Sequence, residues 1–150
     1  MNSKQIIDNF TASEKFALVG ASTNPAKFGN AILKLLQSKG KTIYPIHTFA
    51  PEIESTKTFR SFLEFPDKVE NLILCIKKEK VVPILQQAKE AGIVRVWLQQ
   101  GTGSTEALKF CMENAIQAVN NECIFMFLEG SMHIHKVHKW INKLIGKYPK

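Results

Sequence analysis

The chain has 150 residues, 45% of them hydrophobic and 22% charged, a balance that fits one folded domain with a core and excludes a fibre or a disordered tail. Its longest apolar run, Cys123 to Leu128, is far short of the roughly 20 residues that a membrane span needs, and the polar opening Met1-Asn2-Ser3-Lys4-Gln5 leads into no signal-peptide core, so a cytoplasmic protein is expected. The net charge of +7 points to nucleic acid only until it is divided: residues 131–150 hold five lysines and no acid, while residues 1–130 hold 15 basic and 13 acidic groups, which leaves a nearly neutral body with a basic tail.

In chain order, a short helix at about Lys4 to Phe10 comes first. Five short apolar runs follow, with amphipathic stretches between them: Lys15–Gly20, Thr42–Ile46, Asn71–Ile76, Ile93–Leu98 and Cys123–Leu128. They are continuous rather than alternating, which is how strands read when both faces of a sheet are covered, so a parallel sheet is expected. Ile32, Leu35 and Leu36 lie one helical turn apart ahead of Gly40, which stands at a helix end. The Thr48–Glu70 connection carries Pro51 and Pro66 and only a short apolar cluster, which predicts a loop with one short helical turn. Val81, Ile84, Leu85 and Ala88 make a second helical stripe that tolerates Pro83 in its first turn and ends at Gly92.

A third stripe, Leu108, Cys111, Met112, Ala115, Ile116 and Val119, predicts three helical turns behind an N-cap at Ser104. Ile134, Val137, Ile141 and Leu144, with Trp140 beside them, predict a closing helix. Strand alternating with helix gives a doubly wound parallel α/β domain of Rossmann type, five strands flanked by helices. In such sheets a ligand sits outside the carboxyl ends of the strands, where the strand order reverses. The chemistry is therefore sought just after each strand.

The loop after the first strand reads Gly20-Ala21-Ser22-Thr23-Asn24-Pro25-Ala26-Lys27-Phe28-Gly29. Small residues let backbone N–H groups approach a phosphate, a helix N-terminus supplies about half a positive charge, and a lysine adds a full one. Asn24-Pro25 keeps the chain in a turn, so that the helix starts later. The spacing matches neither of the common glycine-rich phosphate fingerprints. After the second strand, Ile46-His47-Thr48 offers no carboxylate for the ribose of NAD and no arginine for NADP. A nicotinamide-dependent oxidoreductase is thus the weaker alternative on this fold.

Gly20-Ala21-Ser22, Asn24-Pro25, Lys27 and Gly29, then Tyr44-Pro45, Val96-Trp97-Leu98-Gln99 and Gly101, resemble the small CoA-binding proteins, which are similar to the CoA-binding domain of the succinyl-CoA synthetase alpha subunit. The resemblance runs from about Phe16 to Cys123 and implies coenzyme A, or an acyl-CoA, lying across the strand ends. It implies phosphate binding at Gly20, Ala21, Ser22, Asn24, Lys27 and Gly29, with Phe28 near the cofactor. Adenosine would lie near His47 and Lys77-Lys78, the two lysines meeting the 3′-phosphate as point charges. Gln100 and Gly101 would face the pantetheine side. The chain departs from the family at Ile46-His47-Thr48, where a Val-Asn-Pro-like sequence is usual, and at Lys77-Lys78, where proline or arginine-proline is common. In the synthetase the reacting histidine lies on a second domain, so a binding module without catalysis of its own is expected here.

Three cysteines, Cys75, Cys111 and Cys123, lack C-x-x-C spacing and read as reduced core thiols. Glu122 is the only acid close to the expected ligand side. His133, His135 and His138 sit close together, yet no carboxylate or cysteine lies within the cluster and lysines surround it, so a solvated helix face is expected rather than a metal site. Lys136, Lys139, Lys143, Lys147 and Lys150 share one face of the closing helix. That face is expected to be solvated; an interaction protein using it on an anionic lipid surface is a further alternative, and nucleic acid is disfavoured by the missing aromatic interleaving. Self-pairing and a protein partner are left open by the sequence.

Overall fold

A computed structural model describes residues 3–128. Helix α1 (Ser3–Thr11) leads into strand β1 (Lys15–Val19), helix α2 (Phe28–Ser38) and strand β2 (Thr42–Ile46). A small hairpin follows, β3 (Glu52–Ile53) and β4 (Thr56–Lys57), then a 3-10 turn at Phe62–Glu64 and strand β5 (Asn71–Leu74). A second 3-10 turn at Lys78–Lys80 runs into α3 (Val81–Glu90), and β6 (Arg95–Gln99), α4 (Thr105–Glu113), β7 (Gln117–Glu122) and α5 (Phe125–Leu128) complete the described chain.

The main sheet has the order β2-β1-β5-β6-β7, with every pair parallel. The chain steps outward from β1 to β2, then returns to the other side of β1 to form β5. Strand order therefore reverses between β1 and β5, as in other doubly wound folds. The continuity of the apolar runs has a direct cause. Phe16, Leu18, Ile73 and Trp97 face the side covered by α1 and α2, while Ala17, Leu72, Leu74, Val96 and Leu98 face the side covered by α3 and α4. Both halves of each strand's two-residue period are thus buried.

The predicted helix ends agree with the structure. Gly40 and Gly92 follow α2 and α3 with φ of +73° and +91°, the left-handed conformation that closes a helix without a Cβ penalty. Ser104 caps α4, its hydroxyl accepting from the Ala107 amide at 3.1 Å.

The fifth strand is not where the apolar run predicts it. Cys123–Leu128 leads into the short α5, and the fifth strand is the polar Gln117–Glu122. The physical reason is that, among the described residues, β7 pairs as a strand with β6 on one side and forms an edge of the sheet, and of its residues only Val119 is buried. An edge strand needs no apolar run, and polar residues there discourage pairing with other chains. The three-turn α4 is corrected with it: the helix stops at Glu113, and Ala115, with φ +54°, turns the chain, so Ile116 and Val119 are not helical and Met112 is 78% exposed.

The β3–β4 hairpin is absent from the sequence reading. Each strand is two residues long, and its turn is Glu54-Ser55, both left-handed with φ of 48° and 60°, where a glycine or asparagine would have been the recognisable signal. The predicted closing helix, the three clustered histidines and the five tail lysines lie outside the described residues. No helix among the described residues is long and apolar enough to cross a membrane.

Candidate functional site

The β1–α2 loop is shaped by two glycines. Gly20 has φ +132°, and a Cβ on it would stand 2.9 Å from the Cys75 carbonyl carbon. Gly29, in the first turn of α2, packs so close under the loop that a Cβ would lie 2.7 Å from the Ala21 nitrogen. A side chain at either position would push the loop off the strand ends. Between them, the Asn24 amide donates to the Ser22 hydroxyl at 3.1 Å, Asn24 Oδ1 accepts from the Ala26 amide at 3.0 Å, and the Lys27 amide closes a turn on the Asn24 carbonyl at 3.1 Å. Pro25 stands inside that turn, at the position its fixed φ favours. Helix α2 then begins with Lys27 as N-cap and no side chain capping it.

Over the carboxyl ends of β1, β5 and β6 lies a cleft of about 740 Å³. Gly20, Ser22, Lys27, Phe28 and Gly29 form one wall. Cys75, Ile76, Lys77 and Lys80, from the segment after β5, form a second, and Gln99 to Thr102, at the end of β6, form the third. This described lining carries three lysines and no carboxylate. None of the three ammonium groups is paired among the described residues, so the cleft carries a positive local field.

Eight of the predicted site residues therefore meet here: Gly20, Ser22, Lys27, Phe28, Gly29, Lys77, Gln100 and Gly101. Four others lie elsewhere. Ala21 is buried in the core beneath the loop, and Asn24 is occupied in its turn. Lys78 does not line the cleft; Lys80, which the sequence reading omits, does. The reason is the three-residue period of a 3-10 turn, which brings positions 77 and 80 to the same side. His47 is half-buried and does not line the cleft either. Its Nδ1 accepts from the Phe49 and Ala50 amides at 3.2 and 3.0 Å, while Arg60 donates to the carbonyls of His47, Phe49 and Ala50 at 2.8, 2.7 and 3.2 Å. That loop is a closed hydrogen-bonded unit, with His47 and Arg60 both committed to holding it.

Burial pushes the Cys75 thiol up to about 12, with Cys123 close enough to add to the effect, and burial alone pushes Cys111 up to about 11. Cys75, on the cleft wall, is therefore held as a thiol rather than a thiolate. Gln99 is buried, and its Oε1 accepts from the Ile124 amide at 3.2 Å, which ties the end of β6 to the segment after β7. Phe28 packs against Phe125 of α5, the two rings tilted by 53° with 5.3 Å between centroids.

A five-stranded parallel sheet with helices on both faces and an open cleft at its switch point defines an α/β protein of the Rossmann type. Residues 14–129 match the CoA binding domain family, and the chain belongs to that family, as its first-loop residues suggested. It is 34% identical over 83 residues to the alpha subunit of acetate–CoA ligase (ADP-forming) I of Pyrococcus furiosus, which is 51% of this chain and 18% of that protein. The chain spans about a fifth of the length of the curated relatives it matches. Among solved structures, a hypothetical protein from Pyrococcus horikoshii superposes with a TM-score of 0.78 at 32% identity, over 87% of this chain and 94% of the other. A conserved hypothetical protein from Pyrococcus furiosus gives 0.72 at 36% identity, over 77% and 99%.

Proposed function

We propose that the cleft binds coenzyme A or an acyl-CoA, and that this part of the chain acts as a binding module. The observation that carries the reading is the set of three lysines that, among the described residues, have neither an ion-pair partner nor a carboxylate beside them in the lining of a cleft of about 740 Å³ at the sheet's switch point. A ligand with several phosphates supplies the missing anion, and the volume lies in the range of ordinary ligand sites, about 300–1,000 Å³. Membership of the CoA binding domain family supports the same ligand.

The pyrophosphate lies against Gly20–Gly29, where Lys27 and the uncapped start of α2 both favour negative charge. Lys77 and Lys80 take the 3′-phosphate, the group that distinguishes CoA from dephospho-CoA. The adenosine end points toward the His47 loop, and pantetheine runs past Gln100 and Gly101. The cleft is proposed to bind its ligand without catalysis of its own. The Cys75 thiol is held protonated, and among the described lining residues no imidazole or carboxylate stands beside Ser22 or Thr102 to activate a hydroxyl.

Calorimetric titration with CoA, dephospho-CoA, NAD and NADP tests this. CoA is expected to bind most tightly, with Lys27→Ala weakening it by about tenfold, as loss of one charge-assisted contact implies. Tighter binding of NAD or NADP, or no binding of CoA, overturns it.

A further inference from the structure

The phosphate loop is tied to a part of the molecule outside the cleft. Asn30, in the first turn of α2, is 1% exposed and sits among apolar neighbours, where a polar side chain is costly unless every group is matched. It is matched on both sides: the Ser22 amide donates to Asn30 Oδ1 at 2.8 Å, and Asn30 Nδ2 donates to the Ser22 carbonyl at 2.7 Å. Nδ2 donates a second time, to Glu54 Oε1 at 3.2 Å, and the other carboxylate oxygen faces Lys34 Nζ at 3.5 Å.

The Ser22 N–H only donates and its carbonyl only accepts, which sets the way the Asn30 amide faces, and Glu54, a carboxylate that only accepts, takes the second Nδ2 proton and holds the amide in that position. That in turn commits both backbone groups of Ser22 inward. With its N–H given to Asn30 and its hydroxyl oxygen accepting from the Asn24 amide, the one donor Ser22 has left is its hydroxyl proton, on a residue that lines the cleft.

The tip that carries Glu54 is itself held against α2. Glu54 and Ser55 both have left-handed φ, an arrangement that non-glycine residues keep only when the surroundings enforce it. Here Gln37 Nε2 enforces it by donating to the Glu54 carbonyl at 3.2 Å and to the Thr56 hydroxyl.

We infer that Glu54 is a positioning residue for the ligand site: through Asn30 it sets the Ser22 backbone so that the Ser22 hydroxyl donates to the anionic group bound in the cleft. The inference rests on the CoA reading above and adds to it a residue from the β3–β4 hairpin. Since the pyrophosphate is common to CoA and dephospho-CoA, the effect of Glu54 is the same on both, unlike that of Lys77 and Lys80.

The test is calorimetric titration of CoA and dephospho-CoA into the wild type, Glu54→Ala, Glu54→Gln, Ser22→Ala and the Glu54→Ala/Ser22→Ala double variant, with a thermal melt of each. Glu54→Ala is expected to weaken both ligands equally, by about fivefold, the size of one hydrogen bond. Glu54→Gln, which keeps an acceptor for Asn30, stays within about twofold. Ser22→Ala leaves the melting temperature nearly unchanged but loses affinity, and the double variant is no weaker than the worse single one, because the two residues act through one contact. Wild-type affinity in Glu54→Ala, or losses that simply add in the double variant, overturn the relay while leaving CoA binding in place. Failure of the wild type itself to bind either ligand overturns the CoA reading, and the relay with it.

Discussion

The two ends of the sheet handle charge in opposite ways. At the amino ends of β1, β5 and β6, every cation has a partner: Lys15 faces Asp67 at 3.4 Å, Lys68 faces Glu70 at 3.1 Å, and Arg95 faces Glu70 at 3.5 Å and the Asn71 side-chain oxygen at 3.2 Å. Asn71, buried, also donates to the Lys15 carbonyl at 3.1 Å, which pins β1, β5 and β6 together. At the carboxyl ends, Lys27, Lys77 and Lys80 surround a cleft with no acid in its described lining. The charges at one end are paired within the fold; those at the other are exposed and have no partner among the described residues, the arrangement that the proposed phosphate ligand would use. What separates Lys27, Lys77 and Lys80 from other exposed lysines such as Lys39 and Lys78 is that all three line one cleft at the strand ends.

Gly29→Ala breaks the carboxyl end most severely. The added Cβ meets the backbone at Gly20 and Ala21, with no flexible side chain to yield. The expected cost is about 2–3 kcal/mol, in the range of overpacking, together with loss of CoA binding by more than tenfold as the loop lifts; denaturant melts and titration check both. A stable variant with wild-type affinity would remove the close approach from the explanation of the site.

The amino end is tested more gently by Tyr44→Phe. The Tyr44 hydroxyl donates to Asp67. Burial pushes Tyr44 up to about 12, with the hydrogen bond and the charge of Asp67 adding to it, while that same hydrogen bond, and then Lys15, hold Asp67 below its ordinary value. A raised tyrosine stabilises the fold fully below its unfolded value near 10, and that contribution is lost as pH rises through about 12. The lowered Asp67 contributes fully above its unfolded value and loses that contribution as pH falls through the folded one. Tyr44→Phe is expected to cost about 1 kcal/mol near neutral pH and to flatten the alkaline loss of stability between pH 10 and 12, with CoA affinity unchanged. An alkaline limb identical to that of the wild type would show that the pair does not carry it.

How far the sequence could be read follows the same physics. β1, β2, β5 and β6 were legible because burial on both faces writes an unbroken apolar run, and Gly40 and Gly92 mark helix ends by their conformation. β7 was hidden because an edge strand has no such obligation, and the apolar Cys123–Leu128 run drew attention away from it. The β3–β4 hairpin was hidden because its turn is built from Glu54 and Ser55, whose left-handed backbone is enforced by α2 rather than chosen by residue type. In the cleft, Gly20, Lys27 and Gly29 could be recognised from loop chemistry. Lys80 could not, because exchanging Lys78 for it depends on a single 3-10 turn. Asn30 carried a faint signal, a polar residue between Gly29 and the apolar Ala31-Ile32-Leu33 stretch, but its partners at Ser22 and Glu54 belong to tertiary structure.

The most direct measurement pairs a thermal melt with calorimetric titration of CoA on the Lys77→Ala/Lys80→Ala double variant. If the unpaired lysines serve a ligand and not the fold, the stability change is expected to stay within about 0.5 kcal/mol, as for surface substitutions, while CoA affinity falls by about tenfold or more. Unchanged CoA affinity, or a melting temperature that drops together with it, would contradict the assignment of these charges to a ligand.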